Sequence, residues 1–163
     1  MKPGDHPEFY RFPAPAGRSR ESTISLDRRG RFFHDGEPVE HAGMAAAFAR
    51  WVRRHPDDDR WILSNDYDWC YLTVEDTGYF VESLTLGEVP TLGLSDGTRE
   101  PMDPSSLTVD GDGVLRARVK DGREAARFTR QAQLAIAPLL ADDEPLSVIV
   151  NEQRYVVEDT ARE

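Results

Sequence analysis

Six groups of side chains in this chain are of types that could do chemistry. Cys70 stands in DWCYLTVED, a string that alternates as a strand does. That alternation puts Cys70, Leu72 and Val74 on one face and Trp69, Tyr71, Thr73 and Glu75 on the other. The apolar company of Cys70 predicts a core thiol, since a nucleophile needs an electropositive, partly exposed setting. Trp69 and Tyr71 share their face with polar groups, which suits a stacking platform for a ligand or partner; the plainer use is to receive another part of the chain. His34, Asp35 and His41 form a close His/acid cluster. Only His34 and His41 offer imidazole there, with neither the i,i+4 helical spacing nor the cysteine pair that metal sites use, and Asp35–Gly36 has the composition of a turn. No metal site or cofactor is expected.

Arg123, Arg127 and Arg130 fall at i, i+4 and i+7, one stripe if the segment is helical. Planar guanidinium forks on such a stripe could clamp a carboxylate or phosphate; a solvated charged face is the commoner outcome. Glu75 and Asp76 are neighbours on a strand and face opposite ways, so they cannot act on one substrate as acid and base. DGDG at 110–113 departs from a calcium loop, with Val114 and Leu115 where a ligand and a glycine are required. No phosphate-binding glycine loop, nucleophile elbow or Ser/His/Asp set is present. No residue is assigned a catalytic role.

The elements that must position these groups read as α+β. Residues 1–22, rich in Pro, Gly and charge, form an extended arm that Phe9, Tyr10 and Phe12 could pin to the body. TISLDRRGRFFHDG is strand, turn, strand, with Asp27 and Gly30 at the ends of a type I turn. Met44, Ala45, Phe48, Trp51 and Val52 recur at helical spacing between Val39 and Arg54. RWILS is a further strand, and DWCYLTVED with YFVESL forms a hairpin. Residues 85–106 have the Pro and Gly content of a linker. The order then repeats. LTVDGDGVLRARV is a second hairpin with Asp110 and Gly113 in the turn, 122–140 a second helix, and LSVIVNEQRYVVED a closing hairpin. The expectation is two tandem ββαββ repeats at 23–84 and 107–160, with antiparallel sheets each packed by one long helix.

Composition limits the partners. Net charge is −10, from 11 basic and 16 acidic groups in residues 1–90 and 9 and 14 in residues 91–163. An evenly acidic surface lacks the cationic surplus that displaces counterions from nucleic acid, and it has no attraction for anionic lipid. Hydrophobic residues at 39% and charged residues at 31% are ordinary for a folded domain. The lone cysteine, the absence of an apolar leader core and the lack of a membrane-length apolar run predict a cytoplasmic address.

GRFFHDGEPV, the helix with Phe48, LTVED and VKDGREAARFTR together resemble a bacterial family known as domain of unknown function 1285. The resemblance runs over nearly the whole chain. It implies a duplicated α+β fold whose C-terminal half is like a pleckstrin-homology domain, and a signalling or ligand-sensing role. This chain has His41 where the family favours Arg, and VEDTGYF where the family has a VEDAPF-like string.

Three functional classes follow. The first is a non-enzymatic module that binds a small anionic ligand or a protein partner in a cleft between the repeats, lined by Trp69, Tyr71, His34, His41 and the Arg123–Arg127–Arg130 stripe. The second is a small hydrolase or transferase using His34 with Asp35, or Cys70. The third is an assembly subunit that buries its aromatic face against another chain.

Overall fold

The computed structural model describes residues 1–162. The chain divides after Gly78 into two compact units, each α+β and rich in strand.

Unit 1 opens with two short 3-10 turns, Pro3–Asp5 and Pro7–Arg11. Three strands follow: β1 (Ile24–Leu26), β2 (Phe32–His34) and β3 (Glu37–Pro38). Next come helix α1 (Ala42–Trp51) and strands β4 (Val52–Arg54), β5 (Trp61–Ser64), β6 (Trp69–Tyr71) and β7 (Thr73–Val74). One sheet has the order β3-β2-β1-β7, the other β4-β5-β6. The expected Asp27–Gly30 turn is present. Gly30 donates to the Asp27 carbonyl at 3.1 Å with a left-handed φ of 82°, and the Asp27 carboxylate accepts the amides of Arg29 and Arg31 at 2.9 and 2.8 Å.

Unit 2 begins with β8 (Tyr79–Thr85), β9 (Thr91–Leu94) and β10 (Arg99–Pro101). It continues with β11 (Thr108–Val109), β12 (Leu115–Val119) and β13 (Glu124–Phe128), then helix α2 (Arg130–Ile136) extended by a 3-10 turn, Ala137–Leu139. It ends with β14 (Leu140–Ala141), β15 (Ser147–Val150), β16 (Gln153–Val156) and β17 (Glu158–Asp159). An open seven-stranded sheet runs β10-β9-β8-β13-β12-β11-β17, beside a three-stranded sheet β14-β15-β16.

The two units repeat one another's pairings. β7 lies parallel to β1 with Ser25↔Thr73 and Leu26↔Val74; β17 lies parallel to β11 with Thr108↔Glu158 and Val109↔Asp159. Val52↔Leu63↔Cys70 in unit 1 answers Leu140↔Val148↔Tyr155 in unit 2. The Asp110 turn copies that of Asp27: Gly113 donates to the Asp110 carbonyl at 3.0 Å, and the carboxylate accepts Asp112 and Val114 amides at 2.9 and 3.0 Å. Each helix starts from a side-chain cap, His41 Nδ1 accepting the Met44 amide at 3.1 Å and Thr129 Oγ1 accepting the Ala132 amide at 3.2 Å.

Four details of the sequence reading are corrected. The matched portions read βββα followed by four strands, a richer plan than ββαββ. The helix expected at 122–140 starts at Arg130, because residues 124–128 form β13 between β12 and β8. Helix propensity in EAARF yields there to ladder bonds on both edges and to burial of Ala126 and Phe128. The left-handed residues Lys120, Asp121 and Gly122 (φ 55°, 57° and 76°) make the reversal that such a strand needs. The 85–106 segment is no linker, since it carries β9 and β10 and buries Leu92, Leu94 and Met102. Gly93 fits there because a Cβ would run into the Ser83 side chain on the adjacent strand. Finally, DWCYLTVED and YFVESL do not pair: β6 joins β5, β7 joins β1, and β8 joins β9 and β13.

Candidate functional site

The aromatic platform expected at Trp69 and Tyr71 exists, and the N-terminal arm fills it. The two rings pack edge to face at 5.1 Å on the sheet β4-β5-β6. Against them lies Tyr10 from the second 3-10 turn, 2% exposed. Its hydroxyl bonds the Gly4 carbonyl and Ser64 Oγ, both at 3.0 Å, and accepts from Arg53 at 2.8 Å. His55, buried beneath, accepts the Asp57 amide at Nδ1 (3.1 Å), which leaves the Nε2 hydrogen to reach the Tyr10 carbonyl at 2.9 Å. Outside the cradle, Arg11 grips Asp57 through two nitrogens at 2.9 Å, and Arg20 reaches Asp68 at 2.7 Å while its guanidinium lies 4.5 Å over Trp69. Trp69 is 6% exposed. A buried ring of this kind holds the arm.

Tyr71 is half-buried, stacked on His55 and covered by the Arg60 guanidinium at 3.6 Å, and its hydroxyl donates to Asp58 at 2.7 Å. Burial and the neighbouring Asp58 carboxylate both push the Tyr71 phenol up. Burial also pulls Asp58 upward, but the Tyr71 hydroxyl and the Arg60 amide outweigh it and hold the carboxyl below its ordinary range. His55 was invisible in the sequence because it precedes Pro56, where the helix was expected to end; Tyr10 was among the three aromatics that could pin the arm.

Cys70 corrects the alternation argument. Regular pairing breaks at Leu72, which is buried, while Cys70 and Val74 stay half-buried and Trp69 on the opposite face is the better covered. Burial pushes the Cys70 thiol up, so little nucleophilic thiolate is available near neutral pH.

His34 and Asp35 are exposed, 3.7 Å apart, in a turn where Asp35 has a left-handed φ of 51° and accepts the Thr23 hydroxyl at 2.6 Å. His41 caps α1. Among the described residues no group of three His, Cys, Asp or Glu is placed to hold a metal ion.

The arginine stripe is dispersed by the strand at 124–128. Arg123 sits in the reversal with Nε on the Lys120 carbonyl at 3.0 Å, Arg127 lies on β13 opposite Arg116, and Arg130 is the first residue of α2. Arg123 does line a shallow depression of about 630 Å³, but Glu100, Asp103 and Asp121 there offset Arg118, Lys120 and Arg123. No single helix face clamps an anion.

The feature that sequence reasoning passed over is α1. Its ten residues, AGMAAAFARW, include one charge, Arg50, and none of them is buried. Met44 is 50% exposed; Phe48 touches Phe32 and Trp51 at ring distances of 5.6 and 5.9 Å but remains half-open. The matching α2 buries Ala132 and Ile136. The signal was available, because a helix with apolar residues nearly all round is one that expects cover on more than one side.

Two solved structures are similar in fold. A DUF1285 family protein from Silicibacter pomeroyi DSS-3 superimposes with a TM-score of 0.63 at 14% identity, over 93% of this chain and 93% of that one. A DUF1285 family protein from Shewanella baltica OS155 gives 0.52 at 17% identity, over 69% of this chain and 87% of that one. The chain therefore resembles DUF1285 family proteins in fold. No family model matches it, and no curated protein does. Among the described residues no helix is long and apolar enough to cross a membrane.

Proposed function

We propose that this chain is a non-enzymatic, cytoplasmic module, with a role in signalling, that binds a protein partner through α1. One observation carries the reading: a ten-residue helix with a single charge and no buried residue. Contiguous exposed apolar surface is costly in water, and soluble proteins keep it where something docks. A protein partner is favoured over a small anionic ligand, because the arginines expected to clamp an anion stand on different elements. The enzymatic alternative loses support, with His34 and Asp35 in an exposed turn and the Cys70 thiol pushed up by burial.

The shared strand order, the two matched parallel pairings and the two Asp-x-x-Gly turns support an internal duplication, as does the likeness to DUF1285 folds. On that reading the copies have diverged in what covers their helices.

The test is oxidative footprinting of the purified chain with light scattering on the same sample. Met44 is expected to oxidise more than tenfold faster than Met102, which is 2% exposed, in a particle of monomer mass. Equal slow rates at the two methionines would overturn the reading.

A further inference from the structure

Unit 2 shows what covers a helix of this kind. β8 runs parallel to β13 with Ala126↔Tyr79, Arg127↔Phe80 and Phe128↔Val81, and the Thr129 amide at the helix cap donates to the Val81 carbonyl at 3.0 Å. β8 also packs on α2, and Tyr79, Phe80, Val81, Ala132 and Ile136 are all buried. One apolar strand extends the sheet and roofs the helix together.

In unit 1 the counterpart of β13 is β3, by the sheet orders β3-β2-β1-β7 and β13-β12-β11-β17. Among the described residues no strand pairs with the outer side of β3, and α1 has no buried residue. Among the described residues, no strand of unit 1 holds the position that β8 holds in unit 2.

We infer that unit 1 takes this strand from a partner protein: an extended segment with consecutive aromatic or branched side chains, lying along β3 and covering Met44 and Phe48. The inference rests on the proposed role of α1 and names the form of its partner. Strand addition to a sheet edge is a recurrent way of holding an extended peptide, the backbone supplying affinity and side-chain pockets the selectivity. Here the side chains dominate, because Pro38 has no N–H to give and shortens the ladder. The same proline keeps the edge from pairing indiscriminately. Met44 adds an adaptable thioether surface that can mould to the incoming side chains. Glu37 and Glu40 are exposed beside the edge, so a basic residue on the incoming strand complements it.

The experiment titrates the full-length, nitrogen-labelled chain with two synthetic peptides and follows backbone amides. One peptide is GYFVESLTL, the sequence of residues 78–86; the other is GYFVKSLTL, in which lysine replaces the acid. Expected are shift changes concentrated in residues 37–51, about threefold tighter binding of the lysine peptide, loss of both in Met44→Glu, whose remaining spectrum should stay native, and retention of both in Ala46→Glu, which stands two residues on and so on the other face of α1; loss in both variants overturns the inference. Silence with both peptides overturns the inference, as do changes centred on residues 124–136. If an amphipathic helical peptide moves the α1 amides while neither strand does, the strand form fails and the role of α1 survives. If light scattering shows a dimer with α1 amides protected before any peptide is added, both fail.

Discussion

Helices α1 and α2 begin from side-chain caps of the same kind, follow three strands of the same order and run into strands of the same register, yet they live in different surroundings. α2 packs on β8 and fully buries Ala132 and Ile136; α1 has the more apolar sequence, yet its best-covered residues are only half-buried. The contrast teaches that a shared backbone plan does not decide which surfaces are core. Strand β8 covers the helix in unit 2, whereas in unit 1 Met44 stays exposed and Phe48 half-buried.

The comparison can be broken at matched positions. Counting from the caps, Ile136 answers Phe48, and their truncation should have unequal cost. Ile136→Ala removes a side chain with no exposure and is expected to lose about 3–4 kcal/mol in chemical denaturation. Phe48→Ala, at a half-open site, should lose about 1–2 kcal/mol. Equal losses would mean that α1 is as well covered as α2.

A smaller effect probes the cradle of unit 1. Tyr10→Phe keeps the ring and removes a hydroxyl bonded to buried Gly4 and Ser64 and to half-buried Arg53. The expected loss is about 1–3 kcal/mol with a changed tryptophan fluorescence spectrum. An unchanged midpoint would show that the arm is held by its outer ion pairs alone.

The smallest effect concerns what the units share. Burial pulls the Asp27 and Asp110 carboxyls upward, but backbone amides and an arginine partner in each case outweigh it and hold both below their ordinary range. A depressed carboxyl contributes stability above its unfolded pKa, about 3.9, and that contribution is lost as pH falls through the lower folded value. Asp27→Ala and Asp110→Ala should therefore each cost about 1 kcal/mol at pH 7. The penalty should shrink as pH is lowered below the unfolded pKa and through the depressed folded values. A pH-independent penalty at either site would separate the two turns.

The sequence carried the elements whose signal is local. Asp27–Gly30 and Asp110–Gly113 are four-residue turns with their own hydrogen bonds, and LSVIVNEQRYVVED closes on itself as β15 and β16. What depends on distant partners was hidden. EAARF has helical composition and becomes a strand only because β8 and β12 flank it; TLGL looks like linker until Leu92 and Leu94 find a core. Of the candidate site, Trp69 and Tyr71 were correctly placed on one face, whereas the arm that fills it acts through Tyr10 across more than fifty residues of chain. The arginine stripe failed for the same reason as the helix that bore it.

Amide hydrogen exchange on the free monomer tests the central contrast most directly. A short helix without buried side chains opens locally, while one sealed under a strand opens only with its unit. After correction for intrinsic rates, the amides of Ala45–Arg50 are expected to exchange at least about a hundredfold faster than those of Gln133–Ile136. Comparable protection in the two helices would contradict the account.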